Sequence, residues 1–154
     1  MPSFAKRVFD FLEATIITAN HQDFPNFQLC GSDEEDLDAT KEFIVMLGER
    51  ASKLQRHIAS TGEIEIEEID ATVLLICLSP VTGKQDKKAY AAADETLVQG
   101  LMNLIKLFLD NDNLGGRVCD AMPDDDDVLR GFSNFSGRPW AVANITLKGN
   151  VRSI

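Results

Sequence analysis

The chain has 154 residues, a hydrophobic fraction of 44% and a formal net charge of −10. This length and apolar content predict a single folded domain over residues 1–154. The acidic balance argues against a broad nucleic-acid-binding surface and against docking on anionic membranes, and no apolar run approaches the ~18 residues of a membrane span.

The N-terminal segment 3–19 predicts an amphipathic helix that Ser3 can cap. Its apolar residues recur at helical spacing and are interrupted by charged ones, so we expect no signal peptide. The apolar positions are Phe4, Val8, Phe11, Leu12 and Ile16. A brief strand is expected at Phe27–Cys30, followed by a solvated acidic run at Asp33–Asp38.

Residues 42–60 allow two interpretations. Phe43–Leu47 is a short apolar run before Gly48, which suits a buried strand. The segment Glu49–Ser60 could be a helix or a long strand that continues outward, and the pattern does not decide between them.

Two strand signals of different kinds follow. Glu63–Ile66 alternates between charged and apolar residues, as a strand with one wet face does. Thr72–Leu78 shows no alternation, which indicates a central strand covered on both faces, and Pro80 should end it.

A second amphipathic helix is predicted at 93–109, after a basic loop from Val81 to Lys88. Asp94 is a plausible N-cap, and Gly115 marks where the helix has already ended. The helical stripe consists of Leu97, Leu101, Leu104, Ile105 and Phe108.

The last strand is predicted at Trp140–Leu147, where residues alternate between two faces. The resulting order is α, β, β, β, α, β. It predicts an α+β fold with a mostly antiparallel sheet of about four to five strands, packed by two amphipathic helices.

Catalytic and ligand-binding motifs were tested against the sequence, and none fits. The run from Asp110 to Gly115 begins like a calcium loop but places Leu114 where an oxygen ligand belongs, so a helix end and turn is favoured. Gly83-Lys84 lacks the rest of a phosphate-binding loop, and His21 and His57 stand in no metal-binding spacing. We therefore expect no catalytic residue, metal or cofactor.

The three cysteines, Cys30, Cys77 and Cys119, form no CxxC pair. An odd number of widely separated cysteines fits a reducing compartment, and we expect all three to be buried thiols.

Two segments are candidates for function. The acidic loop Asp124, Asp125, Asp126 and Asp127 could be merely solvated, could gather a divalent cation, or could form a surface that repels other anions. The glycine-bounded loop 131–140 carries Phe132, Phe135, Arg138 and Trp140. These side chains could pack back on the sheet or contact a neighbouring subunit, where aromatic residues and Arg are enriched.

The order of these elements resembles the tail terminator proteins of long-tailed bacteriophages, which form rings that cap a finished tail tube. The matching stretches are Phe4–Ile17, Phe43–Leu47, Glu63–Leu78, Glu95–Leu109 and Trp140–Leu147, with Asp124–Asp127 before the last strand. The resemblance is one of pattern and order over most of the chain, and related neck and tail-tube proteins share the general fold.

The resemblance implies a structural virion protein of the tail–neck region, assembled in the host cytoplasm. Copies would form a ring, a homohexamer in that family's manner, on the tail tube protein. The ring would stop tube growth and offer a surface to the head connector or stopper protein. DNA would pass through without specific binding, since an acidic wall repels phosphates. The competing hypothesis is an acidic, DNA-mimicking inhibitor that binds a basic nuclease or another host protein.

Overall fold

The computed structural model describes residues 2–31, 36–124 and 128–152. Within them lie two α-helices and six strands in a mixed, mostly antiparallel sheet. The predicted α+β class is therefore confirmed, with one strand more than the upper expectation. Most of the acidic run Asp33–Asp38 and the residues Asp125, Asp126 and Asp127 lie outside the described residues.

The helices are α1 (Phe4–Leu12), which continues as a π-helical segment over Glu13–Thr18, and α2 (Lys87–Asp110). The strands are β1 (Phe27–Cys30), β2 (Phe43–Ile58), β3 (Ile64–Pro80), β4 (Asp120–Asp124), β5 (Arg130–Phe135) and β6 (Arg138–Arg152). In the sheet they run β1-β2-β3-β6-β4, and β5 also pairs with β6. Only β1 and β2 are parallel; the other four pairings are antiparallel.

Both helices pack on one face of the sheet, here called the helix side. The predicted stripes of α1 and α2 are buried there against alternate residues of the central strands, among them Val73, Leu75 and Ile145. The other face carries a smaller cluster around Ile44, Leu78 and Trp140. On that face Leu78 is buried while Thr72, Leu74 and Ile76 are half-buried, so the predicted cover on both faces is complete only at the end of Thr72–Leu78.

The helix boundaries were predicted unequally well. Ser3 caps α1 as expected, since its Oγ accepts a hydrogen bond from the N–H of Lys6 at 3.2 Å. The predicted start of the second helix was wrong. Asp86, not Asp94, is the N-cap, and its carboxylate accepts from the N–H of Ala89 at 3.0 Å. The added first turns are rich in alanine, which favours helix but does not extend the apolar stripe that the periodicity detects.

Of the two interpretations of Glu49–Ser60, the long strand is the one found, as far as Ile58, so β2 and β3 form one long hairpin. Two other predictions need correction. The predicted loop 131–140 is a hairpin, in which β5 and β6 are joined by Ser136 and Gly137 with positive φ angles of 52° and 76°. Cys119 is exposed, whereas Cys30 and Cys77 are buried as predicted.

Candidate assembly surface

Four of the ten exposed large apolar side chains of the described chain lie at the free end of the β2–β3 hairpin. We call this end the arm: residues 53–58 of β2, residues 64–69 of β3 and the turn between them. β1 pairs with β2 only as far as Met46, and β6 reaches β3 only as far as Glu67. Both edges of the arm are therefore free of described strands toward its tip.

One face of the arm is apolar. Residues directly opposite each other in an antiparallel pair share a face, and Ile58 lies opposite Ile64 while Arg56 lies opposite Ile66. Leu54, Ile58 and Ile64 are 75%, 73% and 67% exposed, and Ile66 is 40% exposed. Four aliphatic side chains in such positions form a contiguous patch, which in a soluble protein indicates an interaction site.

The apolar face lies on the helix side. Leu54 is opposite Glu68, whose Oε1 accepts a hydrogen bond from the N–H of Phe4 at the start of α1, at 2.7 Å. The patch therefore begins where the helix layer ends. From Glu68 to Ile64 the strand advances about 13 Å at ~3.3 Å per residue.

The other face of the arm is polar. Gln55 lies opposite Glu67 and His57 lies opposite Glu65. The Nδ1 of His57 is 3.7 Å from Oε1 of Glu67, and Lys53 forms an exposed ion pair with Asp70 at 3.6 Å. This face has the composition of an ordinary solvated surface.

The two strands of the hairpin differ in charge. Residues 49–58 carry three cations and one carboxylate, and residues 63–70 carry five carboxylates and no cation. Like strands from two copies would therefore repel each other when placed side by side, while unlike strands would attract.

The second feature is a groove beside the middle of α2, with a cavity of about 290 Å³. Its floor is formed by the buried rings of Phe24 and Phe43, whose centroids are 6.4 Å apart. Gly100 leaves the floor open, because a Cβ there would fall on the ring of Phe43. None of the residues that line the groove is basic. Three exposed acidic side chains line it: Asp23, Glu42 and Glu95.

The four interface candidates predicted from sequence meet on the β5–β6 hairpin but differ in exposure. Phe132 is 49% exposed and packs edge-on against Tyr90 of α2 with ring centroids 4.9 Å apart. Phe135 and Arg138 lie opposite each other and are half-buried. Trp140 is 1% exposed, and its Nε1–H donates to the carbonyl of Phe135 at 3.0 Å. Trp140 thus packs within the subunit and offers almost no surface to a neighbour.

Of the acidic quartet, only Asp124 can be placed. It ends β4 opposite Thr146, and its carboxylate lies 3.3 Å from the Nζ of Lys148. Thr146 and Arg152, where the arm begins, are six residues apart along β6, or roughly 20 Å. The structure therefore does not bring Asp124 and the arm together.

The titratable groups of the described ranges form no cluster suited to a metal ion. No three His, Cys, Asp or Glu side chains there could hold a metal ion. Burial raises the pKa of the Cys77 thiol far above its ordinary value, which keeps that thiol protonated. On the surface, the Nε of Arg130 donates to Asp94 at 3.0 Å, and this hydrogen bond raises the pKa of the guanidinium.

No described helix combines the length and apolarity needed to cross a membrane.

Sequence reasoning missed both the apolar face of the arm and the groove. The apolar face of the arm does leave a pattern in the sequence. Apolar residues stand at even positions in both strands, at Leu54 and Ile58 in the first and within Glu63–Ile66 in the second. The groove leaves no such signal, because its residues come from three separate segments of the chain.

A scan against models of protein families gives no match, and a search of curated proteins finds no similar sequence. Arguments about the function of this chain therefore rest on its own geometry.

Proposed function

We propose that the chain is a structural subunit that assembles with copies of itself into a ring, and that the ring caps a phage tail tube. The observation that carries the self-assembly is the arm, whose apolar face stands exposed past the end of the helix layer. Fully burying one such aliphatic side chain contributes about 1.5–3 kcal/mol. Four of them give a neighbouring copy a substantial reason to cover the arm.

The charge of the hairpin supports a ring over a two-fold dimer. If two copies paired edge to edge across a two-fold axis, the same strand of each would meet, so basic strand 49–58 would lie beside its copy, or acidic strand 63–70 beside its copy. A head-to-tail contact instead brings unlike surfaces together. Head-to-tail contacts close into rings when the rotation between subunits allows it.

The resemblance to tail terminators is the basis for three parts of this proposal. They are the position at the end of a tail tube, the number of six copies in the ring, and the contacts with the tail tube and head connector. The net charge of −10 per copy suits a ring through which DNA passes without sticking. We assign Asp124–Asp127 to this repelling surface. Changing the four to Asn should leave folding and ring formation intact and slow the release of DNA from assembled particles.

The experiment is a measurement of mass in solution over a range of protein concentrations, followed by negative-stain imaging. Wild type should form closed rings at high concentration or on the ends of isolated tail tubes. The double variant Ile58→Ser/Ile64→Ser should remain a folded monomer, since both side chains are exposed in the subunit. A chain that stays monomeric alone and on tubes, and that shifts only with a basic partner at low salt, would favour the inhibitor hypothesis instead.

A further inference from the structure

We infer that the groove beside α2 receives the arm of the neighbouring copy, with Arg56 of that arm seated among the groove's carboxylates. This inference rests on the proposed self-assembly and names the surface that covers the arm. The two surfaces match in kind: one is an apolar face with a central cation, and the other is an aromatic floor with acidic walls.

Arg56 is placed to act as the central cation. It lies opposite Ile66 on the apolar face, two residues from Leu54 and two from Ile58. Among the described residues it has no ion-pair partner. A cation surrounded by aliphatic side chains loses water when that face is buried, so the covering surface must supply acceptors.

The groove can supply them. The carboxylates of Asp23 and Glu42 have no hydrogen-bond or ion-pair partner in the described part of the chain, and Glu95 lies on the facing side of α2. The rings of Phe24 and Phe43, which are 6% and 4% exposed, close the bottom of the groove, so an entering guanidinium meets the carboxylates at the groove's walls. Small-molecule pockets occupy roughly 300–1,000 Å³, so a cavity of about 290 Å³ fits a side chain better than a larger ligand.

The arm cannot fill the groove of its own subunit. Phe43 and Leu54 are eleven residues apart on the single strand β2, or roughly 35 Å at the rise of an extended chain. The occupant must therefore come from another copy. An arm that leaves one end of a subunit and enters a groove near the other end is compatible with the head-to-tail contact that ring closure needs.

Charge reversal tests the pairing. Arg56→Glu and Glu42→Arg should each raise the concentration for half-assembly at least tenfold, and the two together should restore it to within threefold of wild type. Lys53→Glu is the matched control, because it makes the same charge change on the polar face of the arm and should have a much smaller effect. Glu95→Arg is a second groove variant, in case Glu42→Arg disturbs folding.

Each outcome decides between the two proposals. If Arg56→Glu assembles like Lys53→Glu, or if the paired reversal does not restore assembly, the groove is not the receiving surface. Self-assembly through the arm would then still stand, provided that Ile58→Ser/Ile64→Ser abolishes rings. A wild-type chain that never assembles would overturn both.

Discussion

Gly100 offers the sharpest test of the groove's packing within one subunit. Replacing glycine by alanine inside a helix ordinarily stabilises it by about 1 kcal/mol. Here the added Cβ would fall on the ring of Phe43, which is buried against Phe24 and Phe27 and has little room to move. Overpacking of a tight site costs about 1–3 kcal/mol. The expected net effect of Gly100→Ala is therefore a loss of about 0–2 kcal/mol in the free energy of unfolding, in place of the usual gain.

The assay is equilibrium unfolding by urea, with the free energy of unfolding compared at a constant m-value. The same change is then made in a Phe43→Leu background, where the contacting ring is absent. There Gly100→Ala should become neutral or stabilising by up to about 1 kcal/mol. If Gly100→Ala stabilises the otherwise wild-type chain, α2 does not approach β2 as closely as described.

Three further predictions concern single groups. Trp140→Phe removes the donor to the carbonyl of Phe135 and should lower the free energy of unfolding by about 1–3 kcal/mol; an unchanged urea midpoint would refute that bond. Cys119 should be the one thiol that reacts with a thiol reagent in the native protein, and denaturation should expose two more; reaction of all three without denaturation would contradict the burial. The pKa of Asp38 is lowered from its ordinary value of 3.8 chiefly by the Thr40 hydroxyl, so the resulting stabilisation is present above that value and lost as the pH falls through the lowered pKa. Thr40→Val should raise the pKa of Asp38 in an NMR titration, and an unchanged pKa would contradict the bond.

The elements that were predicted correctly are those in which the apolar residues of the sequence pattern are also the residues buried in the core. Residues 141–147 alternate because β6 has one face on the core, and the α1 stripe is apolar because it packs there. The start of α2 was missed because its first turns are held by the Asp86 cap and by helix propensity, which leave no apolar stripe. β4 was missed because proline and aspartate, three of its five residues, are uncommon in strands, although proline is tolerated on an edge strand such as this one.

The candidate surfaces were harder to predict for a different reason. An exposed apolar side chain such as Leu54 has the same sequence signature as a buried one, so the pattern alone suggests a core position. Only the register of β2 and β3 shows that no described element covers it. For Trp140 the sequence allowed both packing on the sheet and contact with a neighbouring subunit, and only the β5–β6 hairpin shows that the ring is buried within its own subunit.

The bulge at Asp70 separates β3 into two stretches with independent phase. Asp70 adopts a left-handed conformation with φ of 49°, and three steps of β3 from Glu68 to Ala71 oppose two steps of β6. Between the bulge and the C-terminal end of β3, odd-numbered residues such as Val73 point to the helix side. Between the bulge and the tip of the arm, even-numbered residues such as Ile66 do so. Gaining or losing one residue here would invert which face the tip presents without altering the interior of the protein. Substitutions or register changes at the tip of β3 can therefore alter what the arm binds, while the part of the same strand that packs in the core stays unchanged.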